Sequence, residues 1–95
     1  MGRMSDELIR RRVRVHGRVH GVFFRDSTRE RANAHGVNGW ARNMPDGSVE
    51  AVLEGEPEAV DRVVRFLQTG PPHADVERVE LDEEEPEGLS GFQIR

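Results

Sequence analysis

The sequence predicts an α+β fold, a ferredoxin-like sandwich in the order β-α-β-β-α-β. Its sheet is mostly antiparallel, with four to five strands, and two helices cover one face. Three observations carry this expectation. Apolar and polar residues alternate with period two around Val13 and again around Ala51. Val60, Val63, Val64 and Leu67 recur with helical spacing between Pro57 and Gly70. A Pro-Asp-Gly turn at 45–47 joins two strand-like segments into a hairpin.

Taken in order, residues 1–8 have no periodic pattern and read as a flexible N-terminal extension, leaving 9–95 as the domain. Val13, Val15 and Gly17 alternate with Arg12, Arg14 and His16, as in a half-buried strand. The run from Arg10 to Arg14 reads as its solvent face, where it would draw in anions. Gly17 to Phe23 is a glycine-bracketed loop. Phe24 to His35 forms a helix stopped by Gly36, with a modest apolar face of Phe24, Thr28, Ala32 and Ala34. Val37 to Asn43 and Ser48 to Gly55 are the hairpin strands, and Val49, Ala51 and Leu53 share one face. Glu56 and Pro57 open the second helix, because proline suits the first helical position. Ala59 and Phe66 flank its apolar stripe, and Gly70-Pro71-Pro72 ends it. Val76, Val79 and Leu81 mark a fourth strand, and Phe92 to Arg95 a short last one. Glu83 to Gly88 between them is too acidic for a core.

In this topology strands 1 and 2 run parallel with strand 3 between them. Their C-terminal ends reach the same edge of the sheet. The loop after strand 1 and Asn43 at the end of strand 2 are therefore expected to be neighbours.

Composition narrows the chemistry. The chain has no Cys, which removes disulfides, thiolate nucleophiles and zinc–thiolate sites. All 14 basic residues are Arg, so Schiff-base and lysine-base chemistry is absent too. No apolar run approaches the roughly 18 residues of a membrane span, and no signal peptide is evident. A cytoplasmic protein with no membrane partner is expected. The net charge of −4 argues against a general nucleic-acid binder.

The loop is a candidate anion site. Backbone N–H groups between Gly17 and Gly21 can turn inward, and the following helix N-terminus favours negative charge. Arg25 in the first helical turn is mildly unfavourable there, by roughly 0.3–1 kcal/mol, unless an anion reverses the sign. Its planar fork can hold two phosphate oxygens. The plainer readings are a surface Arg25 whose stem covers Phe24, and an Asn43 that serves the Pro-Asp-Gly turn. His16 and His20 lie on a strand and a loop, where their spacing does not put them on one face, and no metal is expected. Trp40 is read as core or as a lip of the site.

Val15-His16-Gly17-Arg18-Val19-His20-Gly21-Val22-Phe23-Phe24-Arg25 resembles the first motif of the acylphosphatases. Gly39-Trp40-Ala41-Arg42-Asn43 with Gly47-Ser48-Val49 and Gly55 resembles the second, and Gly70-Pro71, Ala74 and Val76 are also similar. The likeness covers nearly everything after residue 10. It implies the same fold and metal-free hydrolysis of the carboxyl–phosphate bond of acyl phosphates, with no cofactor. Arg25 would bind phosphate, and the loop of Gly17, Arg18, Val19, His20, Gly21, Val22 and Phe23 would supply N–H groups. Asn43 would hold the attacking water. Such a site needs little acid–base chemistry, because the carboxylate leaving group has a conjugate acid of pKa about 4.

The expected partners are small-molecule acyl phosphates. Inorganic phosphate or sulfate can occupy the loop, and a monomer is expected. The alternative is a non-catalytic anion-binding or regulatory domain on the same fold. A carbamoyl-phosphate-handling module of a larger protein is disfavoured because the sequence ends at Arg95. An RNA-binding sheet would want exposed aromatics where Arg12, Arg14, His16, Glu50 and Glu54 stand.

Overall fold

The computed structural model describes residues 7–95. The extension expected at 1–8 lies outside them except for Glu7 and Leu8. The elements follow in the order β1 (Ile9–Arg18), α1 (Phe24–Ala34), β2 (Asn38–Asn43), β3 (Val49–Gly55), α2 (Pro57–Thr69), β4 (Asp75–Glu84) and β5 (Phe92–Ile94). The sheet order is β4-β1-β3-β2-β5. β3 is antiparallel to both β1 and β2, β4 is antiparallel to β1, and β5 runs parallel to β2. The fold is the expected α+β ferredoxin-like sandwich, with β1 and β2 parallel on either side of β3. Among the described residues, no helix is long and apolar enough to cross a membrane.

Alternation puts Val13, Val15, Val49, Ala51, Leu53 and Ala41 on one face of the sheet. They pack there with Phe24 and Ala32 of α1 and with Val60, Val63 and Leu67 of α2. Thr28 joins this layer because its hydroxyl donates to the Phe24 carbonyl at 2.8 Å, which satisfies it without solvent. Ala34 is exposed, so it does not extend the face of α1 as expected.

Several element ends shift by one residue from the sequence expectation, and two differences have a structural cause or a larger extent. The loop does not begin at Gly17, because β1 continues through Gly17 and Arg18, which pair with Val76 and Asp75. The cause is a bulge in β4. His16 pairs with Arg78 but Gly17 pairs with Val76, leaving Glu77 as the extra residue. This lets Val76 and Val79, three apart, both pack against the core. A Cβ on Gly17 would lie 2.1 Å from the Asp75 carbonyl oxygen, so only glycine permits the approach. At the other end, β4 takes in Glu83 and Glu84, where the sequence predicts connecting segment.

The opposite face corrects the reading of Arg10 to Arg14 as a solvated, anion-attracting surface. Arg10 is 3% exposed and donates to Glu54 at 2.7 Å and to Glu84 at 2.8 Å. Arg12 donates to Glu84 at 2.6 Å, and both Arg12 and Arg14 donate to Glu50 at 3.2 Å. Glu50 and Glu54 are buried beneath these guanidinium groups. Glu54 also accepts the backbone N–H groups of Glu87, Gly88 and Leu89, tying down the chain between β4 and β5. Trp40 is buried on this face, neither in the helix-side core nor at the site. The guanidinium carbons of Arg95, Arg42 and Arg12 lie 4.6, 5.2 and 5.7 Å from its ring centroid.

These pairs make stability depend on acid pH. Hydrogen bonds from Arg12 and Arg10 lower the Glu84 carboxyl to about 2, against an ordinary 4.5. Burial would raise Glu50 and Glu54, but their hydrogen bonds outweigh it and hold both below the usual range. Each depressed carboxyl stabilises the fold fully above its ordinary value and less as pH falls through its folded value. Urea-unfolding free energy is therefore predicted to fall between pH 4.5 and 2. Glu84→Gln should flatten that slope. Gly17→Ala should cost about 2 kcal/mol or more in the same measurement at neutral pH.

Candidate active site

The chain between β1 and α1 is shaped by two residues of positive φ. Gly21 has φ 71° and open space around it. Phe23 has φ 59° and ψ 30° and is the single non-glycine residue with positive φ among those described. That left-handed conformation costs on the order of 1–3 kcal/mol in a bulky residue. Phe23 is the N-cap of α1, and its carbonyl accepts the Ser27 N–H at 3.0 Å, but no side chain caps the helix. The first-turn N–H groups, with the positive end of the helix dipole behind them, are left to outside acceptors.

The loop is held from both sides. Val19 is buried in the core. His20 Nε2 lies 2.8 Å from the Ser48 carbonyl oxygen and donates to it, and the Met44 N–H donates to the same oxygen at 2.8 Å. Asp46 in turn accepts the Ser48 hydroxyl at 2.6 Å and the Ser48 N–H at 2.9 Å, which holds its carboxyl below the usual range. The loop is thus tied to the hairpin whose first strand ends at Asn43.

Arg25 is tied to the same strand by another route. Its Nη1 donates to the main-chain oxygen of Arg95 at 3.0 Å, and the Arg95 N–H donates to the Ala41 carbonyl at 2.8 Å. Asn43 lies opposite Val49 and, with Gly39 and Ala41, belongs to the helix-side face of β2. Both residues line one cleft of about 310 Å³, together with Val19, Gly21, Phe23, Phe24 and Asp26. Among the other residues predicted for the site, Gly17 and Arg18 close β1, His20 anchors the loop to Ser48, and Val22 packs toward the core. None of these four lines the cleft.

A wider cleft of about 560 Å³ lies between the helices, lined in part by Arg31, His35, Arg62, Arg65 and Phe66. It is cationic, but it reaches Thr69 and Gly70 at the C-terminus of α2, where the dipole opposes anions. Of these two clefts, the smaller one combines helix N–H groups, a guanidinium and a side-chain amide. That set can hold a tetrahedral dianion and orient a water beside it. Among the described residues, no three His, Asp or Glu side chains are grouped to hold a metal.

Sequence reasoning misses Asp26, Phe24 and the Arg95 tether as parts of the site. An acid in the first helical turn is a readable signal for Asp26. Nothing local points from Arg25 to Arg95, since their contact exists only because β5 adds beside β2.

The sequence profile of the Acylphosphatase family matches residues 11–94. A protein of Rubrobacter xylanophilus named Acylphosphatase is 64% identical over 85 residues, spanning 88% of this chain and 77% of the relative. The Acylphosphatase of Thermococcus kodakarensis is 52% identical over 86 residues, spanning 90% and 94%. The solved acylphosphatase from Coxiella burnetii superposes with a TM-score of 0.91 over 100% of both chains at 36% identity. With the profile running from the first core strand to the last, and both strand ends at the cleft inside it, this chain belongs to the acylphosphatase family.

Proposed function

We propose that this protein hydrolyses the carboxyl–phosphate anhydride bond of acyl phosphates, by metal-free in-line attack of a water. Its membership of the acylphosphatase family supports the activity. The observation that carries the site assignment is that Arg25 and Asn43, from separate elements, line one cleft at the uncapped N-terminus of α1. The N–H groups of the loop up to Phe23 and the Arg25 guanidinium hold the phosphoryl oxygens and balance their charge. The Asn43 amide orients the water opposite the acyl oxygen. The water oxygen bonds to phosphorus, and the phosphorus–acyl oxygen bond breaks with its electron pair leaving as carboxylate. Both protons of the water end on the phosphate product, which leaves as dihydrogen phosphate. The stable carboxylate removes the need for a strong general acid, so positioning and charge account for the rate.

The catalytic unit spans residues 9–95 and acts as a cytoplasmic monomer on small molecules, with inorganic phosphate or sulfate able to occupy the loop. Nucleic acid is not among its partners, since the arginines of the open sheet face are engaged with Glu50, Glu54 and Glu84.

In excess EDTA the purified protein should turn over benzoyl phosphate. Arg25→Ala should lower kcat/KM by roughly 10²–10³-fold, the scale of losing one preorganised charge donor. Asn43→Ala should lower kcat with little change in KM. Parent-like rates in both variants, with circular dichroism showing them folded, would refute the assignment.

A further inference from the structure

The hydrolytic reading uses the backbone of Phe23 and leaves its ring without a part. That ring is 76% exposed, against 54% for Leu8 and 42% for Leu81, the other exposed large hydrophobic residues among those described. It stands on the cleft with Arg25 and Asn43. The cleft's other large apolar residues, Val19 and Phe24, are 1% and 2% exposed and belong to the core. Phe23 is therefore the one apolar side chain of the cleft that a ligand can touch over most of its surface. It is held there on a backbone conformation that resists any side chain.

The substrate has two halves with different needs. The phosphoryl half takes the N–H groups, Arg25 and Asn43. The acyl half lies on the opposite side of phosphorus from the water, and it requires a surface at the mouth of the cleft. We infer that the Phe23 ring is that surface, and that the protein favours acyl phosphates whose acyl group is aromatic or bulky and apolar over those of acetyl size. The inference rests on the hydrolytic reading of the cleft.

The test is the ratio of kcat/KM for benzoyl phosphate to that for acetyl phosphate, in the parent and in Phe23→Ala and Phe23→Trp. The ratio should fall roughly fivefold in Phe23→Ala, carried mainly by KM, and be kept or raised in Phe23→Trp, as expected for loss or gain of one aromatic contact. A ratio unchanged in both variants overturns the inference and leaves the hydrolase standing, because both substrates are still consumed. A parent protein that consumes neither overturns the hydrolytic reading and this inference with it. If Phe23→Ala fails to fold, competitive inhibition of the parent decides. Tighter inhibition by phenylphosphonate than by methylphosphonate supports the ring contact, and equal inhibition overturns it.

Discussion

The carboxylate of Glu50 lies at the centre of the sheet, 2% exposed, and bonds to arginines on both neighbouring strands. Arg12 and Arg14 reach it from β1, and Arg42 from β2 at 2.9 Å. In register, Arg14, Glu50 and Arg42 form one row across three strands, and Val15, Val49 and Asn43 form the next. A buried carboxylate that loses partners is costly, so a slip of either flanking strand would strip Glu50 of the arginine bonds from that strand. The same slip would turn the core residues of that strand to the wrong face. The register that Glu50 enforces is what delivers the end of β1 and Asn43 to one level of the sheet edge. The distance between loop and amide is set by the open face, on the far side of the sheet from the cleft.

The site is built where local rules of stability are broken. A helix normally begins with a side-chain cap and a residue of extended backbone. Here α1 begins with an uncapped Phe23 in the left-handed region, and a cation follows in its first turn. Each feature opposes folding, and the uncapped N–H groups and the cation become favourable when an anion binds. The strain is supported by the core beneath it and by tethers on either side, His20 to Ser48 and Arg25 to Arg95. Such local conflict inside an otherwise consistent fold is typical of functional sites.

Much of this architecture is legible in the amino-acid sequence. Period-two and helical spacings identify the elements, and the parallel placement of β1 and β2 brings Arg25 and Asn43 together on topology alone. What stays hidden depends on partners distant in sequence. Gly17 looks like the start of a loop until the bulge at Glu77 pairs it with Val76. Arg10, Arg12 and Arg14 look solvated because their carboxylates stand on β3 and β4. Trp40 carries no sign that its ring is covered by arginines from β1, β2 and the C-terminal residue. Alternation reports which face a residue takes, but not which charges will meet it there.

The central claim is that the phosphoryl group sits on the loop and first turn of α1, and not in the wider cationic cleft. It is tested most directly by titrating the ¹⁵N-labelled protein with inorganic phosphate and following its amide resonances. The account predicts saturable shifts at the backbone N–H groups of residues 19–26 and at the side-chain amide of Asn43. Shifts centred on Arg31, Arg62 and Arg65, or none at the loop, would contradict it.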